Sequence, residues 1–265
     1  MDAQFDNQQD ENIDRIVEKL VKSKKVFVIT GAGISADSGL PVYRGIGGLY
    51  NDENTEDGIP IEEALSATVF KSRPELTWKY MAQIEAGARN TKFNRGHEVL
   101  AEMERYFEQF WILTQNIDGF HSFAGSKNVI EIHGNMYRLL CTVCKKAVRV
   151  KDYSGLAIPP VCECGRMQRP DVVFFEEALP TNELRELHLQ ANVDYDLIIS
   201  IGTSANFPYV AEPVMRSQRR GIATVEINPG VSNITSFVDV HLQTGAAAGL
   251  NEIWKRFNSQ VNTGL

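Results

Sequence analysis

Three short stretches hold side chains whose types and spacing suit chemistry on a nucleotide. In "TQNIDG" the amides of Gln115 and Asn116 could orient a ribose or a carboxamide, and Asp118 could accept from an amide N–H. In "EIHGN" His133 supplies an imidazole that titrates near neutrality, the natural general base for a hydroxyl proton. In "VITGAGISADSG" the residues Gly31, Ala32, Gly33 and Ala36 fit the pattern G-x-G-x-x-G/A, in which a strand turns into a helix and a pyrophosphate approaches backbone N–H groups. A turn that needs glycine for steric reasons alone would carry the same letters. Of the other histidines, His121 lies in the same segment as His133 and is the weaker candidate for a base. His97, His188 and His241 fall in helical or strand contexts that suit packing or surface roles.

The four cysteines form a separate constellation. Cys141 and Cys144 are followed, after 17 intervening residues, by Cys162 and Cys164. Two thiolate knuckles at this spacing suit a tetrahedral zinc ion, and four sulfurs close its shell, so the metal would be structural. The second pair is one residue tighter than the usual C-x2-C.

These groups need a scaffold that brings strand ends together. Six apolar or β-branched runs, 26–30, 110–114, 129–132, 197–201, 223–227 and 237–242, alternate with helical patterns. Runs apolar on both faces belong to a parallel sheet covered by helices on each side, hence a doubly wound α/β fold. Its ligand crevice lies at the carboxyl ends of the strands, where Gln115, Asn116, Asp118, His133, the turn Gly202-Thr203-Ser204, Asn228 and the small residues 244–249 all fall. Residues 46–95 (helical) and 136–170 (with the cysteines) interrupt the alternation and are expected to build a smaller domain together, leaving 1–45, 96–135 and 171–265 to the sheet. A hydride-transferring enzyme would place an acidic residue at the end of a second strand about 20 residues after the glycine turn. Asp52 and Glu53 are at that distance, but "RGIGGLYNDENTEDG" reads as a loop, so the dinucleotide is held in another way.

Composition narrows the function classes. A net charge of −7 argues against nucleic-acid binding and suits a lysine-bearing peptide. No apolar run is long enough to span a membrane, and the polar start "MDAQFDNQQDEN" does not read as a targeting segment. With thiols grouped as metal ligands, a reducing, cytoplasmic location is expected. The chain is expected to act as a monomer.

Taken together, GAGISADSG, the Arg44 that follows it, TQNIDG, IHGN, the paired cysteines, RPDVVFF, GTS and IN resemble the sirtuins, the Sir2 family of NAD-dependent protein lysine deacylases, from about Lys24 to Phe257. The resemblance implies a Rossmann-like domain carrying a helical plus zinc-ribbon domain, with NAD and acyl-lysine between them. It implies that NAD is consumed: nicotinamide leaves as the acyl oxygen attacks, an alkylamidate forms, and His133 takes a ribose hydroxyl proton so that the acyl group passes to ADP-ribose. By position, Gly31, Ala32, Gly33, Tyr43 and Arg44 would lie against the phosphates or reactive ribose, Gln115 and Asn116 would hold that ribose, and Ile117 and Asp118 the carboxamide. Gly202, Thr203, Ser204, Asn228 and Ala247 would line the phosphate and adenosine end. Val173 and Phe174 would border the acyl-lysine, and the following loop would clamp the peptide backbone.

Several letters depart from the family pattern. Val42 and Tyr43 replace Asp-Phe, and Ala205-Asn206-Phe207 and Pro229-Gly230 replace other residues at the adenosine end. Glu176 replaces a glycine, so an altered peptide clamp is expected, with two carboxylates facing a basic peptide. Met81 and Ile84 stand where desuccinylating members carry Tyr and Arg, which predicts weak desuccinylation and an apolar acyl pocket; plain core packing is the alternative. Two other functions fit the same scaffold: an NAD glycohydrolase or ADP-ribosyltransferase, motivated by Tyr43 and Glu176, and a non-catalytic NAD or ADP-ribose sensor.

Overall fold

The computed structural model describes residues 4–41 and 54–263. Their elements run α1 (Asn7–Val21), β1 (Lys25–Thr30), α2 (Gly33–Ala36), α3 (Ile61–Ala64), α4 (Ala67–Ser72), α5 (Pro74–Ala88), α6 (Arg95–Tyr106) and β2 (Gln109–Thr114). Then come α7 (Phe120–Ala124), β3 (Val129–Glu131), β4 (Gly134–Cys141), β5 (Ala147–Arg149), β6 (Gln168–Val172) and α8 (Thr181–Gln190). The chain closes with β7 (Leu197–Ile201), α9 (Pro208–Arg219), β8 (Ala223–Ile227), β9 (Val240–Leu242) and α10 (Ala246–Thr263). Among the described residues no helix is long and apolar enough to cross a membrane.

Six strands form one parallel sheet in the order β3-β2-β1-β7-β8-β9. Alternation along each strand feeds two layers. Val26, Val28, Ile112 and Ile199 pack under α1, α6 and α10, while Phe27, Ile29, Leu113 and Ile198 pack under α8 and α9. Each such side chain contributes roughly 1.5–3 kcal/mol on burial, so the sheet is held from both faces. Helix α1 begins where Asp6 accepts from the N–H of Gln9 at 2.8 Å and the Gln9 side chain answers the Asp6 N–H. Its apolar stripe then buries Ile13, Ile16, Val17 and Leu20.

Strand order reverses between β1 and β7, and Thr30 stands beside both Thr114 and Ile201. Residues 31, 115 and 202 therefore leave the sheet side by side, at the position where open α/β sheets bind ligands.

The segments expected to be inserted share a second core. Ala64, Trp78, Tyr80 and Met81 of the helical segment pack on Met136, Leu139, Tyr153 and Val172, and the Trp78 indole N–H donates to the carbonyl of Gln168 at 3.1 Å. Beneath them lies an antiparallel sheet of order β5-β4-β6, which begins at Gly134 and ends at Val172. The sixth parallel strand is shorter than its apolar run. Thr235–Phe237 forms a 3-10 turn and pairing starts only after Asp239, whose carboxylate accepts from the Thr224 N–H at 2.9 Å and whose own N–H bonds back to Thr224.

Candidate functional site

The glycine turn and the end of β7 interlock. The N–H of Gly33 donates to the carbonyl of Gly202 at 2.8 Å, and the N–H of Gly31 to that of Ile201 at 3.1 Å. A Cβ on Gly33 would lie 2.5 Å from Gly202 Cα, and one on Gly202 would lie 2.6 Å from the backbone of Gly33. The steric reading therefore accounts for Gly33, whose Cβ direction is filled by the Gly202 backbone. Helix α2 is a single turn, and Asn116 and Asp118 from the segment after β2 bond to its Ser35.

Just past β2, Asn116 donates from Nδ2 to the carbonyl of Gly31 (3.1 Å) and to Ser35 Oγ (3.2 Å), and Ser35 donates to Asp118 Oδ2 at 2.7 Å. Asp118 Oδ1 accepts from the N–H of Phe120 at 2.9 Å. Burial pushes the Asp118 carboxyl above its ordinary range, against the pull of the Phe120 N–H and the Ser35 hydroxyl. Asn116 Oδ1 is buried with no partner among the described residues. A buried amide oxygen left unpaired costs about 1–3 kcal/mol, which a ligand N–H or O–H would recover. This is the observation by which the site fits NAD. Gln115 turns the other way, its Nε2 donating to Thr203 Oγ1 at 2.9 Å and joining the ends of β2 and β7.

Asn116, Ile117 and Asp118 line a cavity of about 260 Å³ together with Ala32 and Ser35 from the glycine turn and Tyr80, Ile84 and Met136 from the second unit. Ile84 thus reaches the cavity. Met81 does not: it is 1% exposed and packs in the second core, because α5 turns its Met81 face inward. Phe174 is likewise a core residue, 3% exposed, tilted against Phe70 and covered by the Arg169 guanidinium at 4.4 Å. Its neighbour Val173 is half-buried and donates its N–H to the carbonyl of His133 at 2.9 Å.

His133 follows β3. Its Nδ1–H donates to the carbonyl of Gln115 at 2.9 Å, which leaves the Nε2 lone pair as the basic atom, and Tyr209 Oη stands 2.6 Å from Nε2. Burial holds the imidazole below its ordinary pKa, with the Gln115 carbonyl pulling the other way. Gly134 permits this placement: its φ is +82°, and a Cβ there would lie 2.0 Å from the carbonyl oxygen of Asp171. His121 belongs to the packing instead. It is buried, its Nε2 is 2.9 Å from Thr30 Oγ1, and burial beside His97 drives its pKa well below the ordinary value.

At the far end of the edge, Asn228 Nδ2 donates to the carbonyl of Gly230 at 3.1 Å, the N–H of Ala247 donates to Asp37 Oδ2 at 2.8 Å, and Ser204 is exposed. Val42, Tyr43, Arg44, Asp52 and Glu53 lie outside the described residues.

The expected change in the peptide clamp does not occur at the backbone. Glu176 has φ +71°, the left-handed conformation a glycine would take, at a cost of about 1–2 kcal/mol for a residue with Cβ. Its carboxylate accepts from Thr68 Oγ1 at 2.7 Å and from the Thr68 N–H at 3.2 Å, which offsets that cost. Glu177 pairs with Arg169 at 2.6 Å. Both carboxylates expected to face a peptide are therefore engaged within the chain.

All four cysteine sulfurs lie within 4.8 Å of one another, with Cys141 and Cys164 at 3.5 Å and Cys144 and Cys162 at 3.7 Å. Zn–S bonds of about 2.3 Å in a tetrahedron put sulfurs about 3.75 Å apart, far beyond the roughly 2.05 Å of a disulfide, so the donor set fits zinc.

Two side chains here carry no expectation from the sequence. Ser35 has a legible signal, a hydroxyl inside the glycine turn. Tyr209 has none, because 76 positions separate it from His133 and only the fold brings them together.

Residues 31–208 match the Sir2 family. "NAD-dependent protein deacylase 2" of Pseudomonas aeruginosa is 43% identical over 239 residues, 89% of this chain and 93% of the relative. Among solved structures, a Sir2 homologue in complex with NAD aligns with a TM-score of 0.83 at 32% identity, covering 98% of this chain and 96% of its own. A mutant of Sir2 homologues in complex with 2'-O-acetyl ADP ribose aligns with a TM-score of 0.83 at 33% identity, covering 93% and 97%. A family match over most of the chain, a relative this similar along nearly its whole length and the same fold in solved homologues have one reading: this chain belongs to the Sir2 family.

Proposed function

We propose that the chain is an NAD-dependent protein lysine deacylase that passes the acyl group of an acyl-lysine to ADP-ribose and releases nicotinamide. The observation that carries this reading is the meeting of two groups at adjoining strand ends: the Asn116–Ser35–Asp118 cluster with its unpaired Asn116 oxygen, and His133 with its basic nitrogen fixed by the Gln115 carbonyl. Asn116 Oδ1 and the Asp118 carboxyl hold the nicotinamide and its ribose, and the apolar cavity wall keeps water from the bond being broken. His133 Nε2 then receives the proton of a ribose hydroxyl, whose oxygen takes the acyl group. Val173 borders the lysine stem, with its backbone N–H fixed on the His133 carbonyl.

Acetyl-lysine suits the cleft better than succinyl-lysine. Ile84 on the cavity wall and Met81 behind it offer no cation to a buried carboxylate. Cys141, Cys144, Cys162 and Cys164 would hold a structural zinc that ties the knuckle after β4 to the one before β6. Reduced thiols in that role support a cytoplasmic location, and the charge of −7 supports protein rather than nucleic-acid substrates.

The test is nicotinamide release from NAD with and without an acetyl-lysine peptide. A deacylase releases it with the peptide, one molecule per lysine freed. Equal release without peptide would instead identify an NAD glycohydrolase.

A further inference from the structure

We propose that Tyr209 is the proton relay of acyl transfer: the substrate hydroxyl gives its proton to Tyr209 Oη as Tyr209 gives its own to Nε2 of His133. This rests on the deacylase reading above and adds a residue to its second half. A neutral imidazole whose Nδ1–H is committed to the Gln115 carbonyl has a single lone pair, and Tyr209 Oη occupies it at 2.6 Å. A substrate hydroxyl therefore reaches the base only through Tyr209 or after its departure.

The surroundings favour passage through it. The Tyr209 ring stacks on Phe207 with centroids 5.3 Å apart and 11° between planes, and meets the His133 ring edge-on at 6.0 Å and 87°. Its backbone sits in the first turn of α9, next to the fully buried Val210. Phe207 is 43% exposed, so one ring of the stacked pair faces solvent while the other holds its hydroxyl on the base. Among the described residues the Tyr209 hydroxyl has no other hydrogen-bond partner, and while it donates to Nε2 its oxygen can accept from a hydroxyl arriving in the cleft. Burial holds Tyr209 above the ordinary tyrosine range, which keeps it a neutral hydroxyl and leaves His133 as the base.

The step balances without a redox partner. The substrate O–H bond breaks as a proton moves to Oη, the Oη–H bond breaks as its proton moves to Nε2, and the freed oxygen pair forms the bond to the acyl carbon as that carbon's π pair to the lysine nitrogen moves onto the nitrogen.

Tyr209→Phe keeps the ring, its stacking and its packing but removes the relay. With NAD and an acetyl-lysine peptide, kcat should fall about 10- to 100-fold while the peptide KM stays within about twofold. The acidic limb of the kcat–pH profile should move to higher pH, because His133 loses a donor that favours its neutral form. A kcat equal to or above that of the unsubstituted protein, with the limb unmoved, would overturn the relay and make Tyr209 a displaceable cap. His133→Ala, assayed beside it, separates the two levels. If His133→Ala still turns over peptide, the deacylase mechanism itself fails; if it is inactive while Tyr209→Phe is not, only the relay fails. Should Tyr209→Phe not fold, a proton inventory in H2O–D2O mixtures on the unsubstituted protein decides: a curved dependence of kcat is expected for two protons moving together, and a straight line contradicts the relay.

Discussion

In the parallel sheet, Val26, Val28, Ile112 and Ile199 on one face and Phe27, Ile29 and Ile198 on the other are each sealed by helices. The antiparallel sheet β5-β4-β6 has no such double cover. Its β5 leaves Ala147 and Arg149 exposed, its core is shared with short helices, and Arg169 closes over Phe174 from the side. The first unit is held by apolar area and the second by area plus specific ties: the cysteine cluster, the Trp78–Gln168 bond and the Arg169–Glu177 pair. A small unit with a modest core needs such staples. The cavity is lined from both, so the rigid side brings Asn116 and Asp118 and the stapled side brings Tyr80, Ile84 and Met136.

The largest expected effect falls on the staple. Cys141→Ser should abolish zinc binding, read as metal content, and with it deacylase activity, because structural zinc is worth on the order of 10 kcal/mol to the fold it closes. The far-ultraviolet signal of the parallel sheet should largely persist; its complete loss would show that the two units do not differ in this way. Ile112→Ala, at 0% exposure in the first unit, should cost about 2–5 kcal/mol in denaturant unfolding without changing metal content.

Acid should act on the first unit as well. Burial lowers the pKa of His97 to about 4, so between that value and about 6.5 the unfolded chain binds a proton that the folded chain does not. This contribution is complete above pH 6.5 and is lost as the pH falls toward 4. It amounts to about 3 kcal/mol, and it should vanish from the pH dependence of stability in His97→Phe. Glu176→Gly should have the smallest effect. Relief of the left-handed backbone and loss of the Thr68 bonds oppose each other, so stability should shift by less than about 1 kcal/mol.

The same contrast governs what the sequence makes legible. Strands buried on both faces announce themselves by nearly unbroken apolar runs, and their ends then locate Gln115, Asn116, Asp118 and His133. The cysteine spacing is equally local. The second unit is harder to read because its strands contain Gly134, Asn135, Arg138 and Pro170, which hide a period of two. Whether Met81 or Phe174 faces a ligand depends on which inserted segment packs against which, a long-range outcome. Glu176 shows a side chain tolerated in a glycine's conformation because Thr68, from a different segment, answers its carboxylate. The sixth strand starts later than its apolar run because Thr235–Phe237 turns as a 3-10 helix, an outcome the run of apolar letters does not reveal.

The most direct test of the central claim is mass spectrometry of a single turnover with NAD and an acetyl-lysine peptide, run on the unsubstituted chain and on His133→Ala. Acyl transfer with His133 as base yields one acetyl-ADP-ribose per nicotinamide from the former, and nicotinamide without acetyl-ADP-ribose from the latter. Undiminished acetyl-ADP-ribose from His133→Ala, or none from the unsubstituted chain, would contradict it.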